Sequence, residues 1–143
     1  MREEIADIER QLMLIGRYKE LATTAAAPEE RRLERASSYI LLNRLESEGP
    51  MSIGQLAQAF NLDASTVNRQ TAVLLREGLA ERIPDPEGGM ARKLRITDEG
   101  VRRVAGERGY RLHGLSIVLK DWTQEELVSF AEGLAHFNAS IER

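Results

Sequence analysis

The chain has 143 residues, 42% of them hydrophobic and 30% charged, with a formal net charge of −3. That length suits one compact subunit, and the acidic balance argues against a protein that coats nucleic acid, because nonspecific binding scales with the number of phosphates neutralised. There is no cysteine, which excludes disulfides, thiolate metal sites and thiol redox switching.

The opening MREEIADIER is charged and lacks an apolar signal core. No apolar run approaches the roughly 18 residues of a membrane span, so a cytoplasmic protein with no membrane partner is expected. A first helix is predicted from about Arg2 to Ala22, with Ile5, Ile8, Leu12 and Ile15 in 3-4-3 spacing and Met13, Leu14, Tyr18 and Leu21 widening the stripe. The loop TTAAAPEE contains Pro28. A second helix follows over roughly Glu29 to Glu48, its inward face assigned to Ala36, Tyr39, Ile40, Leu42 and Leu45, and Gly49-Pro50 stops it.

The third helix, SIGQLAQAF, opens on a capping box of Ser52 and Gln55 and presents Ile53, Leu56, Ala57 and Phe60. After a short turn at Asn61-Leu62, Asp63 caps a fourth helix that Gly78 ends, with Val67, Thr71, Leu74 and Leu75 inward. Two alternating runs, LAERI at 79–83 and ARKLRI at 91–96, flank the Pro- and Gly-rich PDPEGGM and predict a β-hairpin with a longer tip. Thr97 caps a long fifth helix to about Leu119, whose near-heptad seam (Val101, Val104/Ala105, Leu112, Leu115, Leu119) is interrupted by Arg108 and weakened by Gly106, Gly109 and Gly114. Thr123 and Glu126 form a second capping box, and the sixth helix carries Leu127, Phe130/Ala131, Leu134, Phe137 and Ile141 on one face.

The order α-α-α-α-β-β-α-α predicts a mainly α protein with a small β-hairpin wing: a winged helix-turn-helix with N- and C-terminal dimerisation helices. The expected organisation is 1–28 for an N-terminal helix and loop, 29–100 for the winged unit and 101–143 for the C-terminal helices, in one subunit. Two short helices on a tight turn followed by a hairpin fit DNA binding, but the same scaffold serves protein interaction.

The stretch MSIGQLAQAFNLDASTVNRQTAVLLREGLAERIPDP, closed by LRITDEG, resembles the MarR (multiple antibiotic resistance regulator) family of bacterial transcription factors. The central stretch carries the resemblance; the outer helices agree in position and pattern. It implies obligate homodimers joined through the first, fifth and sixth helices, palindromic operators in double-stranded DNA, and often release by small phenolic or other aromatic ligands. The residues agree about dimerisation, since those three helices carry more apolar surface than a small winged unit needs. Two recognition helices entering successive major grooves would stand about 34–36 Å apart.

With Val67, Thr71 and Leu74 inward, the fourth helix turns Ser65, Thr66, Asn68, Arg69 and Ala72 outward or to its flanks. Asn pairs bidentately with adenine and Arg with guanine. Ser65 and Thr66 sit in the first turn, where hydroxyls and free N–H groups suit phosphate or base contact, and Gln70 and Arg76 are candidates for the backbone. The family's wing usually carries a tip arginine supported by an aspartate. Here Gly88, Gly89 and Met90 stand at that place; Asp85 is present, and Arg92 and Lys93 come later as phosphate candidates, so either the hairpin register differs and Arg92 serves that role or the wing reads DNA weakly, and the two glycines loosen the tip. The resemblance also implies an effector pocket between the first, second and fifth helices, for which Tyr18, Tyr39, Tyr110, Leu112 and His113 are candidates.

No Gly-rich phosphate loop, nucleophile elbow or metalloprotease helix is present, so no catalytic residue and no cofactor is expected. His113 and His136 stand alone, outside any metal-ligand spacing. The reading is a homodimeric, sequence-specific DNA-binding regulator, a repressor released by a small aromatic ligand. The alternative is a winged-helix protein-interaction module without operator binding.

Overall fold

A computed structural model describes residues 2–18 and 36–142, with the side chains of 16–18 and 36 excluded. Among the described residues, six helices and one hairpin follow the predicted order: α1 Glu3–Tyr18, α2 Ala36–Glu48, α3 Ile53–Phe60, α4 Ala64–Arg76, β1 Ala80–Ile83, β2 Lys93–Ile96, α5 Asp98–Val118 and α6 Gln124–Ile141. The predicted end of the first helix at Ala22, the Pro28 loop and the predicted start of the second at Glu29 lie outside the described residues.

One core gathers the winged unit. Leu41, Leu42 and Leu45 of α2, Leu56 and Ala57 of α3, Val67 and Leu74 of α4, Leu79, Ala80, Leu94 and Val104 of α5 form a single buried cluster. Each fully buried Leu side chain contributes about 1.5–3 kcal/mol of transfer free energy. One inward assignment, Ile40, is corrected, and Leu41 and Val73 are added to the inside. In the run Tyr39-Ile40-Leu41-Leu42, Leu41 is buried and Ile40 is 51% exposed, while Leu42 and Leu45 lie inside as expected. Val73 of α4 joins Leu74 inside.

The turn between α3 and α4 is built on Asn61, which takes the left-handed conformation at φ 54° and ψ 48°. Asparagine tolerates that region nearly as glycine does. The Leu62 N–H then closes on the Ala57 carbonyl at 2.9 Å, and the chain reaches Asp63 in extended form to start α4. The Ser52–Gln55 capping box forms as predicted. At the other end of α4, Gly78 adopts φ +72°, and the Leu79 N–H bonds to the Leu74 carbonyl.

The hairpin pairs Ala80 with Ile96 and Ile83 with Lys93 in antiparallel register. Met51 adds a one-residue third strand through two bonds with Leu94, at 3.1 and 2.8 Å. Thr97 locks the hairpin to α5. Its hydroxyl donates to the Gly78 carbonyl at 2.7 Å and accepts the Gly100 N–H at 3.1 Å, and its own N–H bonds to the Leu79 carbonyl at 3.0 Å.

The predicted seam of α5 splits between two surfaces. Gly100, Val104 and Glu107 are buried against the winged unit, whereas Val101, Leu112 and Leu115 are exposed. In α1, the described apolar side chains from Ile5 to Ile15 are exposed, and α6 buries none of its residues. Of the described residues, no helix is long and apolar enough to cross a membrane.

Candidate nucleic-acid interface

Burial sorts α4 into two faces. Val67, Thr71, Val73 and Leu74 are buried, while Ser65, Asn68, Arg69, Ala72 and Arg76 are exposed and Thr66 and Gln70 lie half-covered. The Thr71 hydroxyl donates to the Asn68 carbonyl at 3.2 Å, so a buried polar group is satisfied within its own helix and the Asn68 side chain is left at the surface.

Asp63 occupies the N-cap position, but its side chain makes no bond to a backbone N–H, which corrects the predicted cap. Its carboxylate instead accepts the Thr66 hydroxyl at 3.2 Å, and Thr66 Oγ1 in turn accepts from Arg69 Nη2 at 3.3 Å. Asp63, Thr66 and Arg69 thus form a polar ladder at i, i+3, i+6 on the outer face. Arg69 lies along the helix, its guanidinium drawn back toward the first turn. Uncapped N–H groups beside a guanidinium suit a phosphate oxygen.

Gln70 is placed differently from the others. It lines a hollow of about 230 Å³ with Ser37, Ile40, Leu41, Phe60 and Leu62, on the side of α4 that faces α2 and α3. Arg76 is exposed in the last turn.

In the wing, Arg92 is exposed, whereas Lys93 is drawn inward. Lys93 Nζ lies 3.7 Å from Asp85 Oδ1, with 14% and 13% of the two side chains exposed. Arg95 pairs with Glu81 across the hairpin. Arg82 is exposed on β1, an available cation that the sequence reading passed over. Strand alternation gave no signal for it, because Arg82 shares the face of buried Ala80 and pairs with buried Leu94. Among the described residues, Arg69, Arg76, Arg82 and Arg92 pair with no carboxylate.

Of the five effector candidates, Tyr39, Tyr110, Leu112 and His113 have described side chains, on α2 and α5. Tyr110 and His113 line a shallow hollow of about 280 Å³ with Ala105, Gly106 and Gly109. Tyr39 lines a separate groove of about 620 Å³ between α2 and α5. Leu112 is exposed and lines neither, and the Tyr18 side chain lies outside the described residues.

The larger groove has a chemistry that the spacing of residues did not reveal. Its three arginines are each committed to a carboxylate. Arg44 bonds Glu142 at 3.1 Å and lies 5.0 Å from the centre of the Phe60 ring. Arg108 bonds Asn43 at 2.6 Å and Glu46 at 3.0 Å, and the Glu46 bond, its largest influence, holds its pKa above the ordinary arginine value. Arg111 bonds Glu107 at 3.1 Å and stacks 4.1 Å from the Tyr39 ring centre. Among the described residues, no three His, Asp or Glu side chains are grouped to hold a metal ion.

The comparisons with known proteins agree with this architecture. The family model described as MarR family matches residues 33–89. The HTH-type transcriptional regulator YxaD of Bacillus subtilis (strain 168) is 38% identical over 109 residues, 76% of each chain. A MarR family protein from Bacillus stearothermophilus superposes with a TM-score of 0.77 at 23% identity, covering 100% of this chain and 99% of that one. The PcaV transcriptional regulator from Streptomyces coelicolor, solved in complex with its natural ligand, gives 0.68 at 23% identity over 94% and 91% of the two chains. Identity over three quarters of the chain, a matching family model across the helix-turn-helix, and one fold from end to end place this chain in the MarR family of transcriptional regulators.

Proposed function

We propose that the protein is a homodimeric repressor that binds a palindromic operator. In this reading α4 enters the major groove and presents Ser65, Thr66, Asn68 and Arg69 to base edges and phosphates. Arg76 and Arg92 contact the backbone. The observation that carries the reading is the division of α4: four residues anchored in the core, and a polar outer face ending in an arginine with no carboxylate partner among the described residues.

Dimerisation is supported by the apolar faces of α1, the distal half of α5 and α6. Ile8, Leu12, Leu115, Phe130, Leu134 and Phe137 are each at least 41% exposed in the single chain. A second copy is the economical cover for a surface of that kind. Release by a small aromatic ligand rests on the hollows along α5 and on the family. The arginines of the larger groove are already paired and lie against the Tyr39 and Phe60 rings, so a ligand there meets guanidinium planes on which its own ring can stack rather than a free cation. It acts by differing in affinity between two spacings of the DNA-binding heads.

Selection of bound duplexes from random and genomic DNA tests the reading. Anisotropy titration of the wild type and Arg69→Ala then follows at two salt concentrations. A palindrome with half-sites about one helical turn apart, weakened in Arg69→Ala, is the expected result. No enriched sequence, and weak binding indifferent to the substitution, would refute base readout by α4 and favour a protein-interaction module.

A further inference from the structure

We propose that Met90 is the leading DNA contact of the wing, an apolar wedge set against the minor groove, with Arg92 holding the adjacent phosphate. This rests on the operator-binding reading above and concerns how the wing reads its site. The first observation is the exposure of Met90, at 101%. At that exposure the side chain packs against none of the described residues. From residue 63 to residue 100 it is the one large apolar side chain that is exposed among the described residues. The exposed apolar residues of α1, α5 and α6 form continuous faces, and Met90 belongs to none of them.

The second observation is what holds the loop behind it. Asp85 Oδ1 accepts the Glu87 N–H at 2.9 Å, and the Asp85 carbonyl accepts the Gly88 N–H at 3.0 Å. Gly88 takes φ +86°, and Gly89 lies so close to the Asp85 carboxylate that a Cβ there would overlap it. Residues 85–89 are therefore folded onto one carboxylate, which Lys93 also approaches. What projects from this knot is Met90-Ala91-Arg92, all exposed. The third observation is the distribution of charge. Lys93 and Arg95 are drawn to Asp85 and Glu81, so the wing tip carries the exposed Met90 between the exposed carboxylate of Glu87 and the exposed Arg92.

An unbranched thioether adapts to an irregular groove wall, and methionine is among the side chains that wedge at base steps from the minor groove. Such a contact differs measurably from an arginine. It releases no counterions, so it adds affinity without steepening the salt dependence, whereas each phosphate contact adds about 0.9 to the slope of log K against log salt.

The test uses the full-length protein on its selected operator, with Met90→Ala, Met90→Gln, Met90→Leu and Arg92→Ala. Since Met90 packs against none of the described residues and Arg92 is exposed, these variants fold as the wild type does. The expected result is a loss of about tenfold in Met90→Ala and Met90→Gln, an unchanged salt slope, and recovery in Met90→Leu. Hydroxyl-radical protection of the minor groove flanking each half-site disappears with the affinity. Arg92→Ala weakens binding and lowers the slope by about one unit. Wild-type affinity and footprint in Met90→Ala, or a Met90→Gln as tight as wild type, would overturn the wedge while leaving operator binding by α4 intact. Absence of any selected operator for the wild type would overturn both readings together.

Discussion

Gly100 is where the packing of α5 on the winged unit is tested most directly. It is the third residue of α5, and a Cβ built on it would overlap the Leu79 carbonyl oxygen and the Ile96 side chain. That carbonyl already accepts the Thr97 N–H at 3.0 Å, and Leu79 is 1% exposed. Neither neighbour is the free end of a flexible side chain, so Gly100→Ala must push the hairpin and the helix apart. Overpacking of this kind costs about 1–3 kcal/mol, toward the upper end against backbone, and the gain in helix propensity returns up to about 1 kcal/mol. A net destabilisation of about 2 kcal/mol is expected, a fall in Tm of about 8 °C for a chain of this size. Gly109→Ala is the control, because nothing lies within 4 Å of its Cβ position and it too is helical. It should be neutral or more stable by about 0.5–1 kcal/mol. Urea and thermal unfolding at one fixed protein concentration measure both, since assembly would otherwise shift the midpoint. A Gly100→Ala protein as stable as the wild type would refute the close approach of α5 to Leu79.

Other perturbations probe other parts of the molecule. Arg69→Ala should weaken operator binding by about 1–3 kcal/mol, roughly 5- to 150-fold, without changing the unfolding midpoint; an equal loss on unrelated duplex would reassign the residue from base to phosphate. Thr97→Val keeps the shape but removes the cap on Gly100 and the bond to the Gly78 carbonyl, and should cost about 1–2 kcal/mol in urea unfolding. Arg111→Ala leaves the fully buried Glu107 carboxylate without its ion-pair partner and should destabilise by about 3 kcal/mol; calorimetry showing no loss would mean that the pair is not closed. Leu134→Glu on the exposed face of α6 should yield monomers in sedimentation velocity and weaken DNA binding with them; an unchanged sedimentation coefficient would place the interface elsewhere.

Much of the fold was legible because its punctuation is local. Ser52 with Gln55, Thr97 before Asp98-Glu99, and Thr123 with Glu126 declare helix starts within four residues, and all three cap as read. The faces were less legible where apolar residues run consecutively. Tyr39-Ile40-Leu41-Leu42 and Val73-Leu74-Leu75 contain more apolar positions than one inward stripe accommodates. Periodicity alone cannot say which member is left out, and α2 left out Ile40. In α5, a single seam was read where two exist, because the helix packs its first half on its own winged unit and exposes the apolar face of its second half.

The outer face of α4 was readable for the same reason as its inner face, since naming the buried residues names their opposites. What a sequence does not disclose is which charges are already engaged within the chain. Lys93 and Arg92 are neighbours of the same sign, yet one is drawn to Asp85 and the other stands free of any carboxylate among the described residues. Arg44 and Arg108 find their partners 98 and 62 residues away. A cation paired with a carboxylate brings a phosphate less net charge than one left free, although its remaining N–H groups can still donate. The candidate interface is therefore set less by where arginine occurs than by where the fold leaves it uncommitted. The cations left without a carboxylate among the described residues are Arg69, Arg76, Arg82 and Arg92, while Lys93 would meet a phosphate from beside Asp85.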